Sequence, residues 1–432
     1  MTSRMAKETN GSAQPLVRLP RTTDLSRLTP FYKLDVQDER TNTLHSLLQR
    51  GHAAVAPLRE PKLILHSHLP HLLGSAYFLG ARAQQLEELY EHEITTLREV
   101  DDTFISGSAI SKENWRDFLG QKPYTVAYVQ YFDKEVERNN GDWKKVLQDY
   151  LFSGPEPLIN GFSGGLGHPF IHLAYAWELQ SPEVATEALS LGCTEYLVAH
   201  GLLDNSPPDN STYKATSLAD IIKRVHDDKR FDGIFEHQGI TNIEALMQQR
   251  FDAVLEHWNA WAATDPVQQL ENICDTSVLL AIATGDQERK FDFYLAHTMT
   301  VAHALRVLWE LFPPEQRACI LKQYVLFVIT VYICQLKPAV DFDMIDTVDS
   351  ASLGESDDWD SIINSALRHK WFKDSHFFKV IRAPKAFEET FGTKHDFYRK
   401  ASRKFLVEFD GWEGFGLGVE GFLPNRDGYK PE

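Results

Sequence analysis

The stretch GGLGHPFIHLAYAWEL, residues 164–179, places two histidines four residues apart in an apolar segment with the composition of a helix. His168 follows a run of glycines and precedes Pro169, and His172 comes one helical turn later. Residues four apart lie on the same face of a helix, so both imidazoles are expected to point the same way. Such a pair either fills a core or holds a metal ion, and the rest of the chain must distinguish these two roles.

Apolar residues recur at helical spacing through most of the chain outside this stretch. Alternation with a period of two, which is typical of half-buried strands, is scarce. The pattern predicts an all-α fold in which crowded, buried helices form one large domain. We expect residues 1–25 to be a flexible N-terminal arm and residues 26–432 to form the helical domain. The clearest helical segments are 69–92, 126–137, 143–152, 182–200, 243–261, 267–283, 291–312 and 314–336.

The bulk composition restricts the classes of partner. The chain has 432 residues, 43% of them hydrophobic, and a formal net charge of −17. Nucleic acids and anionic membranes attract clustered Lys and Arg, so we expect this acidic protein to bind neither. The longest apolar run, 324–336, is shorter than the roughly 20 residues that span a bilayer, and it predicts a buried helix.

Cysteine usage and the N-terminal sequence predict a cytoplasmic protein. The four cysteines form no C-x-x-C pair and lie in apolar or helix-like stretches, which is typical of buried thiols in a reducing compartment. Residues 1–20 lack the apolar core of a signal peptide. The sequence gives no indication of the oligomeric state.

Seventeen histidines occur in the chain, and several form pairs at helical spacing. His68 and His71 are three residues apart, as are His376 and Lys379, and His297 lies in another apolar segment. Helical proteins build metal sites from inward-facing side chains on neighbouring helices, and imidazole is the commonest metal ligand. These clusters predict a metal site. The lack of paired cysteines argues against structural zinc and favours redox-active iron or copper, or catalytic zinc.

The motifs of the common nucleotide cofactors are absent from the sequence. The GxGxxG match at 416–421 has too few residues after it for a dinucleotide-binding fold. The glycine-rich segment 161–169 lacks the GK[ST] of a phosphate-binding loop. We therefore expect no classical NAD, FAD or ATP site.

Four blocks of sequence carry a resemblance to a known family. HSHLPHLLGSAYFLGA (66–81) resembles the H-N-H-x-x-H…Y-x-x-G-A block of the questin oxidase-like family, and GLGHPFIHLAYAWEL (165–179) is similar to its G-L-x-H-P-x-I-H-L-x-Y-A-x-E block. DFYLAHTMTVAH (292–303) and HFFKVIRA (376–383) resemble two further blocks, in the same order. Ser67 departs from the usual Asn, and Val301 and Ala302 replace a Ser pair, which bears on substrate choice or ligand orientation.

The resemblance implies an oxidoreductase of fungal secondary metabolism. A member of this family is expected to cleave a carbon–carbon bond of a small anthraquinone-type polyketide with O2. The resemblance also implies non-haem Fe(II), held by several histidines and a carboxylated lysine. Carried onto this chain, the candidate metal ligands are His68, His71, His168, His172, His297 and Lys379.

Two further residues are candidate catalytic groups beside that ligand set. His376 adjoins Lys379 at helical spacing, and Tyr77 lies in the first of the four blocks. Tyr77 also belongs to a set of aromatic residues that could line a flat apolar pocket for the substrate. The others in this set are Phe170, Tyr175, Trp177, Phe293 and Tyr294.

Two alternatives remain open on the sequence. One is an NADPH- or flavin-dependent Baeyer–Villiger-type oxidase, for which we expect a yellow protein or a requirement for NADPH. The other is a non-catalytic helical protein that binds polyketides and whose buried histidines only make hydrogen bonds. A metal-free protein whose thermal stability is unchanged by chelators would favour the latter.

Overall fold

A computed structural model describes residues 38–59, 65–284, 290–347 and 358–416. The predicted N-terminal arm and most of the GxGxxG match lie outside the described residues. Sixteen α-helices and two small two-stranded sheets make up the regular structure within those ranges. The prediction of an all-α, single-domain fold is confirmed.

The helices and strands are numbered separately in the order in which they follow one another along the chain. In chain order they are α1 (Glu39–Ala54), β1 (Val55–Arg59), α2 (Leu69–Phe78), α3 (Ala83–Glu93), β2 (Leu97–Glu99), α4 (Thr125–Arg138), α5 (Trp143–Leu151), α6 (Gly164–Leu179), α7 (Pro182–Thr194), α8 (His200–Asp204), α9 (Leu218–Asp227), α10 (Asn242–Ala260), α11 (Pro266–Ile282), β3 (Phe291–Asp292), α12 (Phe293–Val307), α13 (Arg317–Cys334), α14 (Trp359–Ala366), α15 (Ser375–Phe391), α16 (Phe397–Glu408) and β4 (Trp412–Glu413). β1 pairs with β2 antiparallel, and β3 pairs with β4 in parallel.

The interior is organised around helices that are buried on every side. All fifteen residues of α12 are buried, and α12 packs against α6, α11, α13 and α15. α2 packs against both α6 and α15. The helices α2, α6, α12 and α15 therefore form a closed ring in which each touches two others. The histidine clusters singled out in the sequence lie on these four helices, except that His68 directly precedes α2.

The helices predicted from the sequence coincide with observed helices in their central residues, but several predicted ends are wrong. The predicted helix 69–92 is two helices, because the chain turns at Gly80 with a φ of +89° and begins again at Ala83. The predicted helix 182–200 ends at Thr194. The amphipathic helices α1, α9, α14 and α16 were missed, since their apolar stripes are short and interrupted by charged residues.

The apolar run that predicted a buried helix lies in α13. The segment Pro314–Cys334 is long and apolar enough to cross a membrane by length and composition, and 78% of its most apolar window is buried inside the protein. α13 packs against α10 and α12. Burial by neighbouring helices accounts for its hydrophobicity, and the prediction of a buried helix is confirmed.

Candidate metal centre

The ring of four helices brings the predicted site residues together in the interior. α2 begins directly after His68 and carries His71, α6 carries His168 and His172, and α12 carries His297. α15 supplies His376 and Lys379. All seven side chains are at most 5% exposed, which is rare for basic residues unless they have partners.

Three of these histidines converge on one point. The Nε2 atoms of His68 and His168 lie 3.0 Å apart. A ring nitrogen of His376 joins them, and the three ligand atoms all lie within 4.8 Å of one another. With metal–nitrogen bonds of about 2.1 Å, two ligands at right angles would be roughly 3 Å apart, so the His68–His168 spacing fits a shared ion. We call His68, His168 and His376 the histidine trio.

Backbone carbonyls determine which nitrogen of two imidazoles is free. His168 Nδ1 donates to the carbonyl of Gly165 at 2.6 Å, and His297 Nδ1 donates to the carbonyl of Phe293 at 2.7 Å. The Nε2 atom of each ring is then an unprotonated electron-pair donor. His297 Nε2 is buried and has no hydrogen-bond partner in the described part of the chain. Its ring centroid lies 4.9 Å from that of His376, beside the trio.

An irregular start to α6 places His168 at this point. Gly165, Leu166 and Gly167 have φ values of 52°, 59° and 73°, so the helix becomes regular only at His168. At Gly167 a Cβ atom would lie 2.4 Å from a methyl group of Val301, which shows how closely this turn approaches α12. The glycines permit both the left-handed backbone and the contact. The same turn exposes the Gly165 carbonyl to the imidazole of His168.

His172 has different surroundings from the histidine trio. Its Nδ1 atom lies 3.1 Å from Nε2 of His71, and its own Nε2 lies 2.9 Å from Glu187. The other carboxylate oxygen of Glu187 lies 2.8 Å from His52, which in turn contacts Asp133 at 3.1 Å. Both ring nitrogens of His172 are therefore engaged, and it links His71 to a carboxylate outside the cluster.

Lys379 is a buried amine that forms no ion pair with any of the described residues. It is 3% exposed, and its Nζ atom has no hydrogen-bond partner among the residues described. Burial lowers the pKa of Lys379 to about 7, against the opposing charges of Asp374 and Glu93. It borders a cavity of about 10 Å³, close to the smallest space that admits one water, together with Tyr175, Glu178, His303 and Arg382.

Burial also keeps the imidazoles neutral. Desolvation, followed by the charge of Lys379, holds the pKa values of His68, His71 and His376 well below the usual value for histidine. The same two causes lower the pKa of His297 to about 3. Neutral imidazole is the form that binds metal ions, so the cluster is ready to act as a ligand set at neutral pH.

The positions around the trio include residues that the sequence did not single out. Asp374 caps α15 by accepting hydrogen bonds from the backbone N–H groups of His376 and Phe377 at 2.7 and 3.0 Å. Trp412 donates its indole N–H to the same carboxylate at 2.9 Å. The Asp-Ser pair before an apolar run is a helix-start signal that could have identified Asp374. Trp412 comes from β4, and no local pattern connects it with His376.

His66 and Tyr77 take positions that the sequence did not predict. The His66 ring stacks on that of His168 with centroids 4.4 Å apart, and its Nε2 lies 2.8 Å from Glu195. Tyr77 instead faces α1, where its hydroxyl lies 2.7 Å from Thr41 and its ring packs on the Arg40 guanidinium. The structure thus brings His376 into the trio, whereas it turns the hydroxyl of Tyr77 toward α1.

Of the aromatic residues predicted to line a substrate pocket, Phe293 and Tyr175 have rings in contact with the clustered histidines. The ring centroid of Phe293 lies 4.5 Å from that of His376, and Tyr175 stacks on His71 at 5.0 Å. Phe170 packs on Phe162. Of the remaining two, Trp177 contacts Trp143, and Tyr294 contacts Phe293 and Phe415.

Comparison with known proteins agrees with the sequence blocks. The family model described as "Questin oxidase-like" matches residues 65–384. The Baeyer-Villiger oxidase mdpL of Emericella nidulans is 22% identical over 80% of each chain. The Baeyer-Villiger oxidase GME11358 of Pestalotiopsis microspora is 22% identical over 88% of each, and the questin oxidase of Aspergillus terreus is 22% identical over 56% of this chain and 57% of its own. The chain therefore belongs to the questin oxidase-like family and is an oxidoreductase, as its sequence blocks predict.

Proposed function

We propose that this protein is a non-haem iron dioxygenase that uses O2 to cleave a carbon–carbon bond of an anthraquinone-type polyketide. One observation carries the proposal: each histidine of the buried trio contributes one ring nitrogen, and these three nitrogens lie within 4.8 Å of one another. The relatives named questin oxidase and Baeyer-Villiger oxidase support the oxidative chemistry. A hydroxylated polycyclic aromatic compound is accordingly the proposed substrate class.

The trio is the centre of the proposed ligand set, and His71, His297 and Lys379 complete it. His71 qualifies because its Nδ1 is buried and has no hydrogen-bond partner in the described residues. His297 qualifies because its Nε2 electron pair is free and its ring adjoins those of His168 and His376. His172 was a predicted ligand, but its Nε2 bonds the carboxylate of Glu187 and its Nδ1 meets His71 rather than the trio. We propose that His172 orients His71, as carboxylate–histidine pairs commonly do around metal ligands.

Ferrous iron in this position would supply a centre that binds O2 and a phenol oxygen together and passes electrons between them. The protein's own residues supply the environment. The carbonyls of Gly165 and Phe293 fix the tautomers of His168 and His297, so the Nε2 electron pairs stay available. The rings of Phe293 and Trp412 cover His376 and exclude water from it.

Lys379 is proposed to carry a carboxyl group. At neutral pH a large fraction of its amine is unprotonated, because burial lowers its pKa to about 7. A neutral amine attacks CO2 to form a carbamate with loss of one proton, and the product is an anion that can ligate a cation. Formation of the carbamate would replace a buried amine that has no partner in the described residues with a metal-paired anion.

The test is anaerobic reconstitution of the purified protein with ferrous iron, followed by elemental analysis and an O2-consumption assay with 1,8-dihydroxyanthraquinone. We expect equimolar iron, and O2 uptake without any added NADPH. Mass spectrometry under CO2 should show Lys379 heavier by one carboxyl group. Iron far below stoichiometry would contradict the iron assignment.

A second candidate is an NADPH- or flavin-dependent Baeyer–Villiger-type oxidase. The names of the relatives from Emericella nidulans and Pestalotiopsis microspora favour it. It differs from the dioxygenase in consuming one NADPH for each O2. Measuring NADPH oxidation beside O2 uptake in the same assay separates the two: equal consumption supports this candidate, and O2 uptake alone supports the dioxygenase.

A further inference from the structure

A chain of hydrogen-bonded side chains connects the histidine cluster with the protein surface. His71 Nε2 lies 3.1 Å from Nδ1 of His172, and His172 Nε2 lies 2.9 Å from Glu187. The other oxygen of Glu187 lies 2.8 Å from Nδ1 of His52, whose Nε2 lies 3.1 Å from Asp133. These residues belong to five different helices, in order α2, α6, α7, α1 and α4. The chain is unbroken from the fully buried His71 to Asp133, whose side chain is 37% exposed.

Glu187 is the fixed point of this chain because it accepts hydrogen bonds and cannot donate them. Burial opposes its ionisation, but the hydrogen bonds from His172 and His52 outweigh burial and lower the pKa of Glu187 to about 2. An ionised carboxylate has no proton to donate. The imidazole nitrogen that faces each of its oxygens must therefore carry a proton, and in His172 that nitrogen is Nε2.

The constraint passes along the chain to His71. With one proton on each ring, His172 carries its proton on Nε2, so its Nδ1 accepts a hydrogen bond and His71 Nε2 is the donor. His71 is neutral because burial, followed by the charge of Lys379, holds its pKa well below the usual value for histidine. Its single proton is then on Nε2, which leaves the electron pair of Nδ1 available to a metal ion.

The acceptor of the ring N–H differs among the candidate ligands. His168 and His297 donate from Nδ1 to the backbone carbonyls of Gly165 and Phe293, which are neutral acceptors. His71 instead donates to an imidazole that is itself bonded to a carboxylate. Successive hydrogen bonds polarise one another, and a bond to a charged acceptor is stronger than one to a neutral acceptor. We therefore expect His71 to be a stronger electron-pair donor than His168 or His297.

From this chain we infer that Glu187 is a positioning residue of the metal centre, which sets the tautomers of His172 and His71 so that His71 presents Nδ1 to the ion. His52 supports this arrangement because it holds the second oxygen of Glu187. The presence of an ion rests on the proposed function, whereas the tautomers are a property of the metal-free protein. A carboxylate near the surface thus acts on the buried centre through two imidazoles.

The test is the protonation of the individual ring nitrogens in the full-length, metal-free protein at neutral pH. Long-range proton–nitrogen NMR spectra of protein labelled with nitrogen-15 in its histidines report this protonation. The variants His71→Gln and His172→Gln assign the signals. We expect both histidines to carry their proton on Nε2 alone. A proton on Nδ1 of His71, or on both nitrogens of His172, would overturn the inference.

Glu187→Gln tests the origin of these tautomers. A carboxamide donates as well as accepts, so it no longer restricts the proton of His172 to one nitrogen. We expect the signals of His71 and His172 to shift towards a mixture of the two neutral tautomers. Glu195→Gln is the matched control, because Glu195 lies at the end of the same helix and faces His66 instead. Unchanged tautomers in Glu187→Gln, or an equal shift in Glu195→Gln, would overturn the role of Glu187.

The reduction potential of the iron-loaded protein gives a second readout. Glu187→Gln should make His71 a weaker donor, and a weaker donor favours ferrous over ferric iron. The potential should therefore be higher than in the wild-type protein. It should also be higher than in Glu195→Gln, which loses the same charge without a hydrogen-bonded link to His71. Equal potentials in the two variants would show that the loss of charge acts without the chain.

These measurements separate the inference from the proposed function. If the wild-type protein binds no iron, but its tautomers are as expected and are lost in Glu187→Gln, the role of Glu187 stands and the dioxygenase proposal fails. Circular dichroism verifies that each variant is folded. The wild-type spectra decide the tautomers even where a variant does not fold.

Discussion

His68 and His168 face each other between α2 and α6 with their Nε2 atoms 3.0 Å apart. His168 donates from Nδ1 to Gly165, so its Nε2 accepts and His68 must be the donor in the metal-free protein. A metal bound to both Nε2 atoms would shift that proton to Nδ1 of His68, which is buried and has no hydrogen-bond partner in the described residues. The imidazole therefore stays neutral when it binds the metal.

The two histidines of α6 should differ in their effect on iron binding. His168→Ala removes a member of the trio and should abolish equimolar iron and turnover. His172→Ala removes a supporting contact to His71 and should weaken iron binding by about 10- to 100-fold. Elemental analysis and titration with ferrous iron measure both effects.

His257→Ala is the control for these substitutions. His257 is also buried, but it bonds Tyr213 and Asp228 at 2.8 Å each, and neither of them is a candidate ligand. It should keep its iron. An unchanged iron affinity in His168→Ala would mean that the α6 histidines are core residues.

Glu187 should act on the metal site through His172. Glu187→Gln keeps the size of the side chain but weakens its contacts to His172 and His52. We expect iron affinity to fall about tenfold or more, because the histidine link to His71 loses its charged acceptor. Glu183→Gln on the same helix is the matched control, since Glu183 contacts Gln49 and Ser181 instead. A similar loss of affinity in both variants would indicate general damage to α7.

Lys379 should destabilise the metal-free protein in a pH-dependent manner. Its folded pKa of about 7 is below the ordinary lysine value, so between about pH 7 and 10 the unfolded chain binds a proton that the folded protein does not. The free energy of unfolding should rise through that range by up to about 1.4 kcal/mol per pH unit.

Lys379→Met removes this contribution and should be more stable than the wild-type protein at pH 7. Its advantage should shrink as the pH approaches 10. Denaturant unfolding with a chelator present measures the difference, and Lys144→Met at the protein surface serves as the control. An advantage that stays constant with pH would show that the amine is not buried as described.

Acid should destabilise the metal-free protein through the histidine cluster. Burial lowers the pKa of His297 to about 3. Below about pH 6.5 the unfolded chain therefore binds a proton that the folded protein does not bind. Stability should fall from pH 6.5 downward by about 1.4 kcal/mol per pH unit for each such histidine. His297→Gln should reduce this slope in denaturant unfolding between pH 5 and 7. A slope identical to that of the wild-type protein would contradict the burial of a neutral His297.

The helical positions of the site were predictable from the sequence, but their mutual arrangement was not. The spacing of His168 and His172 correctly predicted that both lie on α6. Only tertiary packing shows that His168 meets His68, whereas His172 meets Glu187. The three-residue spacing of His376 and Lys379 likewise predicted that both lie on one helix. It did not show that His376 contacts His68. Tyr77 was selected from its block, but the end of α2 turns its hydroxyl toward Thr41.

Long-range partners explain the remaining differences. Trp412 reaches the site because β4 pairs with β3 directly before α12, and two-residue strands leave no alternating pattern to detect. Gly80 ends α2 early, although the residues on both sides of it have helical spacing. Pairings of this kind depend on tertiary contacts rather than on local sequence.

The most direct test of the central claim is the iron content of the wild-type protein beside that of a His68→Ala/His168→Ala double variant. Both are reconstituted anaerobically with ferrous iron, desalted and analysed by elemental analysis, with circular dichroism to verify the fold. The wild-type protein should retain equimolar iron, and the folded double variant should retain none. Equal iron in the two proteins, or none in the wild-type protein, would contradict the assignment of the buried histidine trio as a metal centre.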